Sequence, residues 1–240
     1  MGYLKKRVNH LVGEAIHRYG LLQNGDRILV AVSGGSDSLL LLWFLNHWLK
    51  KAPINYSLLP VYLDMGFHAQ AQGLLPDFFR KMGLSFHMEA TDYAVLAHSS
   101  INRGKSPCFL CAMWRRKRLF QLTAALGCNK LALGHNQDDL IETFFLNLCY
   151  AGEMSTMVPR QEMFKGRLTI IRPLALVAKE RIDRMAQELG LPVSSNPCPS
   201  AGKTRREAIK SMLATLYRTD RRIRDNIFRG LSNVRREYLL

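Results

Sequence analysis

The sequence predicts a doubly wound α/β fold, a parallel sheet with helices on both faces, and three observations carry that reading. Short apolar runs without polar alternation, Arg27 to Val32 the clearest, recur along the chain as strands buried on both faces would. Between them lie segments whose apolar residues return at helical spacing, and strands alternating with helices imply parallel pairing through crossovers. Finally, the first apolar run passes through Ser33-Gly34-Gly35-Ser36-Asp37-Ser38 directly into a helical segment. Open α/β sheets build their ligand sites at such strand ends.

Tyr3 to Leu22 sets Leu4, Val8, Leu11, Val12, Ala15, Ile16 and Tyr19 at helical spacing, so residues 3–22 read as an amphipathic N-terminal helix. Asn24-Gly25-Asp26 is a turn, Arg27 to Val32 the first strand, and Leu39 to Lys50 the helix beyond the loop. Ser57 to Leu63 and Ser85 to Glu89 follow as strands, with Ala69 to Met82 as the helix between them. Thr91 to Pro107 is a polar connector leading to a basic helix, Cys108 to Leu126. Lys130 to Leu133 and Leu168 to Ile171 read as strands, Asp138 to Tyr150 and Lys179 to Leu189 as helices. From Pro192 onward the pattern is a loop and then two basic helices. There is no internal repeat and no separating linker. The expected organisation is an α/β domain over 1–190, with a cysteine-containing loop and a basic helical C-terminal extension over 191–240 packed on it.

Thirty-four Lys and Arg against 19 Asp and Glu leave a net charge of +15 over 240 residues. Such an excess favours a polyanion, because each neutralised phosphate releases condensed counterions. The charge is clustered: residues 101–120 carry six basic and no acidic side chains, and residues 201–240 carry 11 basic and four acidic ones. Nucleic acid is the expected partner. The longest apolar run, Leu39 to Leu45, is too short to span a bilayer. No apolar stretch follows the basic N-terminal residues, as a signal peptide requires. A cytoplasmic location with no membrane partner is the expectation. Five cysteines, at 108, 111, 128, 149 and 198, argue for thiols or metal ligation over a disulfide framework.

Ser33 to Ser38 has the makings of a phosphate site: two glycines allow close backbone approach, helix-start N–H groups attract anions, and serine hydroxyls add donors. It is neither a Walker loop nor a dinucleotide fingerprint, for there is no Gly-x-Gly-x-x-Gly and no Lys behind the glycines. Gly202-Lys203-Thr204 matches the end of a Walker loop by chance, with Pro197 where the first glycine belongs. Cys108 and Cys111 form a Cys-x-x-Cys at the head of the basic helix. Alone, that pair suits zinc, redox chemistry or an iron–sulfur cluster. Cys198, outside any regular element, is the obvious third thiolate, whereas Cys128 and Cys149 read as buried, inert thiols. A closed zinc site wants four ligands, and three thiolates on a cubane leave one iron open. Spacing alone leaves zinc and cluster even.

Ser33 to Ser38 resembles the pyrophosphate-binding loop of the PP-loop ATP pyrophosphatases. These enzymes cleave ATP between the α- and β-phosphates, adenylate a carbonyl oxygen and replace it with a nucleophile. The resemblance implies an adenine nucleotide α-hydrolase-like fold in which Ser33, Gly34, Gly35, Asp37 and Ser38 hold the β- and γ-phosphates. Leu133-Gly134-His135-Asn136-Gln137-Asp138-Asp139 is similar to the Gly-His-x-x-Asp-Asp motif of the tRNA-thiolating members. The likeness extends through Val12 to Ile16, Gly25 to Ile28, Ala52 to Asn55, Leu63-Asp64, Cys108-x-x-Cys111 with Arg115-Arg116, and Ile171 to Leu174. Taken in order, these resemble one branch, the tRNA-cytidine 2-sulfurtransferases. That branch makes 2-thiocytidine in the tRNA anticodon loop with ATP, Mg²⁺ and a 4Fe–4S cluster on three cysteines. The resemblance therefore implies cluster ligation by Cys108, Cys111 and Cys198, and catalytic roles for Asp37, Asp138, Asp139, Cys108 and Cys111. It adds Asp64, Gly134 and His135 to the nucleotide site. Asp138 and Asp139 suit Mg²⁺ coordination or substrate activation, with helix N-capping as the bland alternative. His135 suits a phosphate or AMP contact, or a structural role.

Three departures from the branch stand out. Ser36 occupies the place of a usual Lys, Cys198 to Ala201 lacks the second cysteine of a Cys-x-x-Cys, and the segment Met65 to His68 is shortened and altered. The implied partners are tRNA and a sulfur donor, such as a cysteine desulfurase or free sulfide, and a homodimer is compatible with the sequence. A lysidine-synthetase-like tRNA ligase, sharing the loop, is the nearest rival. Thiolation of another base or a small molecule is another, and a non-catalytic, zinc-stapled RNA-binding protein is a third.

Overall fold

The computed structural model describes residues 2–49, 51–66, 69–100, 102, 104, 106–194, 198 and 204–238, with the backbone alone over 69–72. The chain runs α1 (Tyr3–Arg18), β1 (Asp26–Val32), α2 (Ser36–Leu49), β2 (Tyr56–Asp64), α3 (Ala69–Lys81), β3 (His87–Ala90), α4 (Tyr93–His98) and α5 (Pro107–Ala125). It continues through β4 (Lys130–Ala132), α6 (Gln137–Ala151), β5 (Arg160–Met163), β6 (Leu168–Ile171), α7 (Lys179–Glu188), α8 (Arg205–Thr219) and α9 (Ile223–Gly230). The strands form one six-stranded sheet in the order β3-β2-β1-β4-β6-β5. All neighbouring pairs are parallel except β5 and β6. The connections move outward from β1 to β3 and then return to β4 on the other side of β1. The carboxyl ends of β1 and β4 thus flank the switch point where such sheets bind ligands.

Burial accounts for the unalternating strands. Every residue of β1 from Ile28 to Val32 is buried. Leu29, Ala31, Val61, Leu63 and Leu131 pack with Ala94 of α4 and with Leu119 and Leu122 of α5. α2 packs on β1, β2 and α7, and its Leu39 to Leu42, Phe44 and Leu45 are all buried, which is why this helix has no polar face. At the amino ends of β1 and β4, Asp26 and Lys130 form a buried ion pair at 2.7 Å. Lys130 Nζ also donates to Leu21 O, while Asp26 accepts from the Gln23 N–H and from Asn129 Nδ2. The pair is stabilising only because these added bonds offset its desolvation.

The chain falls into two units, Met1–Asn136 with Pro159–Ala201, and Gln137–Val158 with Gly202–Leu240. The first holds the sheet with α1 to α5 and α7; the second holds α6, α8 and α9. This grouping differs from the expected division at 190 and 191, because α6 joins the C-terminal helices. Its Ile141, Phe145 and Leu146 pack with Ile209, Leu213, Tyr217, Ile227 and Phe228. Two elements were absent from the sequence reading, the short helix α4 and the edge strand β5. Cys128 is buried as expected, but Cys149 is exposed, a correction to its reading as a buried thiol. Sharing a helix with Phe145 and Leu146 does not bury it, since those two face the small core and Cys149 lies near the end of α6. Among the described residues no helix is long and apolar enough to cross a membrane.

Candidate active site

β1 delivers the chain into the Ser33–Ser38 loop, and α2 already begins at Ser36. Gly34 adopts φ +83°, a left-handed conformation that costs glycine little. The turn is then locked by its own hydroxyls. The Ser33 N–H donates to Ser38 Oγ at 3.0 Å, and that hydroxyl donates to Gly35 O, also at 3.0 Å. Ser33 Oγ lies 3.2 Å from Ser38 Oγ. The first N–H groups of α2 have no intrahelical acceptor, as in any helix, so the loop presents a field that favours anions.

Two other segments close on this loop within the first unit. Beyond β4, a Cβ on Gly134 would stand 3.0 Å from Ser38 N and 3.1 Å from the Asp37 carbonyl carbon. A side chain here would require the two backbones to give way by a few tenths of an ångström. Asn136 Nδ2 donates to Asp37 Oδ1 at 2.8 Å, and Asn136 is 3% exposed. From the other side, Lys179 Nζ at the start of α7 donates to Asp37 Oδ2 and to Ser36 Oγ at 2.9 Å, and lies 3.0 Å from Asp183 Oδ1. Ser36 Oγ donates in turn to Asp183 Oδ1 at 2.6 Å. Burial would lower the Lys179 pKa, but Asp37 and Asp183 outweigh it and hold the ammonium above its usual value. The sequence reading did not single out Asn136, Lys179 or Asp183. Asn136 lay inside a recognised motif, whereas nothing local marks Lys179, which the fold brings from a distant helix.

Asp64 ends β2, buried, its Oδ1 accepting from the Gly66 N–H at 2.8 Å and its carbonyl accepting from Thr91. His135 Nδ1 accepts from Arg172 Nε at 3.3 Å. A guanidinium can only donate, so this bond assigns the neutral ring's proton to Nε2.

Cys108 and Cys111 lie in the first turn of α5, behind Ser106 and Pro107. The Cys111 thiol is pushed up by burial and by the charges of Cys198 and Cys108, with Arg115 opposing. The three cysteines named from the sequence all fall within the first unit. Ser194, four residues before Cys198, donates from its N–H to Gly34 O at 2.9 Å, which ties that segment to the phosphate loop. The flanks of Cys198, 195–197 and 199–203, lie outside the described residues. Among the described residues no three His, Cys, Asp or Glu side chains are arranged to hold a metal ion. Metals bind thiolates, so ligation by these cysteines releases protons. Soft sulfur donors suit iron–sulfur clusters and zinc alike.

Asp138 and Asp139 open α6 in the second unit. Asp138 Oδ1 lies 3.3 Å from Arg224 Nε, and Asp139 Oδ1 lies 3.8 Å from Arg206 Nη1. Arg206 Nε is also 3.4 Å from Glu142 Oε2. Burial raises the Glu142 carboxyl to about 7, against the pull of Arg206. The Gly-His-x-x-Asp-Asp segment thus divides, with Gly134 and His135 in the first unit and both aspartates in the second.

A PP-loop domain family matches residues 3–216. A tRNA-cytidine(32) 2-sulfurtransferase of Geobacter sulfurreducens is 37% identical over 237 residues, 98% of this chain and 92% of its own. The chain belongs to the PP-loop family, in the group of the tRNA-cytidine(32) 2-sulfurtransferases. A second member, from Alkalilimnicola ehrlichii, is 37% identical over 98% of this chain and 76% of its own. Among solved structures, the U34-tRNA thiolase NcsA from Methanococcus maripaludis, with its [4Fe-4S] cluster, matches 96% of this chain and 78% of its own at TM-score 0.77 and 23% identity. An NH3-dependent NAD synthetase from Campylobacter jejuni matches at TM-score 0.53 and 16% identity. These structural likenesses show the fold alone.

Proposed function

We propose that this chain is an ATP-dependent tRNA sulfurtransferase that converts a cytidine of the anticodon loop to 2-thiocytidine. The names of its relatives at 37% identity over almost the whole chain support the substrate. One observation carries the sulfur chemistry: Cys108 and Cys111 stand together at the head of α5, in the same unit as Cys198 and the phosphate loop. A tRNA ligase has no need of that convergence. The thiol set suits a 4Fe–4S cluster such as NcsA carries. When bound to Cys108, Cys111 and Cys198, the cluster supplies an iron with an open position for sulfide.

The chain's own residues bind, orient and neutralise. Ser33, Gly34, Gly35, Asp37 and Ser38 seat the β- and γ-phosphates, leaving the α-phosphate open to the base carbonyl oxygen. That oxygen attacks phosphorus and pyrophosphate leaves, its charge met by loop N–H groups. His135, with its proton on Nε2, is a donor for the AMP moiety, and Asp64 belongs to the same nucleotide site. Sulfide then adds to the activated carbon and AMP departs with the former carbonyl oxygen. Asp138 and Asp139 act in Mg²⁺ coordination or substrate activation. Positioning of this kind lowers a barrier by roughly 7–11 kcal/mol. The basic residues of α5 and of 205–236 hold the tRNA backbone, in the cytoplasm, with sulfur from a desulfurase or free sulfide.

The test is anaerobic incubation of the full chain with unmodified tRNA, ATP and sulfide, followed by mass spectrometry of the digested nucleosides. The expected product is 2-thiocytidine, formed only with ATP and with AMP and pyrophosphate released in equal amounts. ADP as the nucleotide product, or a thiolated uridine, contradicts the proposal.

A further inference from the structure

We propose that Lys179 is the pyrophosphate-binding cation of this chain, delivered by α7 to a loop that has no lysine of its own; this rests on reading Ser33 to Ser38 as a phosphate loop. Within that hexad the sole ionisable side chain is Asp37, so the loop's own side chains bring no positive charge to a polyphosphate. The start of α2 offers only about half a positive charge, so a full cation has to come from elsewhere. Lys179 Nζ reaches two consecutive residues of the loop, Ser36 and Asp37, and the Lys179 side chain is 39% exposed.

Ser36 makes this delivery work. It is buried, accepts from Lys179 and donates to Asp183, so it fixes the ammonium by both of its hydroxyl functions. A longer side chain at 36 would point at the space that the ammonium fills. The serine in the loop and the lysine on α7 are thus complementary halves of one site. Asp183 is 53% exposed, and a phosphate oxygen can take its place on Lys179 with little loss, because a solvated ion pair contributes little.

The competing account is structural, with Lys179 merely pinning α7 to α2. Calorimetric titration of the full chain with inorganic pyrophosphate, ATP and adenosine separates the two. Lys179→Ala is expected to weaken pyrophosphate and ATP roughly tenfold or more, as loss of a charge-assisted contact does, and to leave adenosine unchanged. The double variant Ser36→Lys with Lys179→Ala, which moves the cation into the loop and into the vacated space, is expected to regain most of the pyrophosphate affinity. If Lys179→Ala fails to fold, Lys179→Gln removes the charge while keeping the bonds to Asp37 and Ser36, and is read in the same way. Unaltered pyrophosphate binding, equal loss of adenosine, or a folded double variant without recovery overturns the assignment. A wild-type chain that binds neither ATP nor pyrophosphate refutes the phosphate-loop reading itself, and the assignment with it.

Discussion

Gly134 shows how much of this site depends on single atoms. Its α-carbon faces the backbone at the start of α2, and a methyl group there would lie 3.0 Å from Ser38 N. Neither partner is a flexible side chain that could move aside. Gly134→Ala must push the loop and the β4 end apart, at an expected cost of roughly 1–3 kcal/mol in stability. Because the displaced atoms belong to the phosphate loop, ATP affinity should fall as well. Thermal melts and ATP titration check both, and a variant matching wild type in each would refute the close approach. The glycine was visible in the sequence as part of a motif, but its reason was not, since that depends on a strand pairing that brings residue 134 beside residue 38. Lys179 and Asp183 were less legible still. They belong to an ordinary amphipathic helix, and only the packing of α7 against α2 brings them to Ser36 and Asp37.

At the scale of elements, the strands and helices with strong apolar patterns were legible from the residues: β1, β2, β4 and β6, and α2, α5 and α6. β5 was not, because Arg160-Gln161-Glu162-Met163 is a polar edge strand whose exposed and half-buried residues alternate without an apolar face. Its turn into β6 uses positive φ at Phe164, Lys165 and Gly166, and of the three only the glycine is a residue that announces such a turn. α6 was read correctly as a helix and assigned to the sheet domain, yet its apolar face belongs to the C-terminal core. That core has a pH signature. Burial raises Glu142 from 4.5 to about 7, so the folded chain binds more protons than the unfolded one between those values. Stability therefore falls as pH rises through that window. Glu142→Gln should flatten the fall and be more stable than wild type by roughly 1–3 kcal/mol at pH 8, with little difference near pH 4.5. Melting temperatures across that range test it; parallel profiles for variant and wild type would contradict the raised carboxyl.

For the molecule as a whole, the sequence announced function through separated clusters: a phosphate loop after the first strand, thiols at the head of a basic helix, and basic residues toward the end. The fold brings the first two into one unit, and the sheet order explains why, since β1 and β4 open at its switch point. The third cysteine is the decisive element of the account. On the proposed reading, a third thiolate is what separates a sulfurtransferase from a nucleotide-dependent tRNA ligase that shares the loop. Iron, zinc and acid-labile sulfide should therefore be measured on protein purified without oxygen, for the wild type and for Cys198→Ala. The account predicts about four irons and four sulfides per chain, lost or destabilised in the variant. Stoichiometric zinc without labile sulfide, under the same strict exclusion of oxygen, would contradict it.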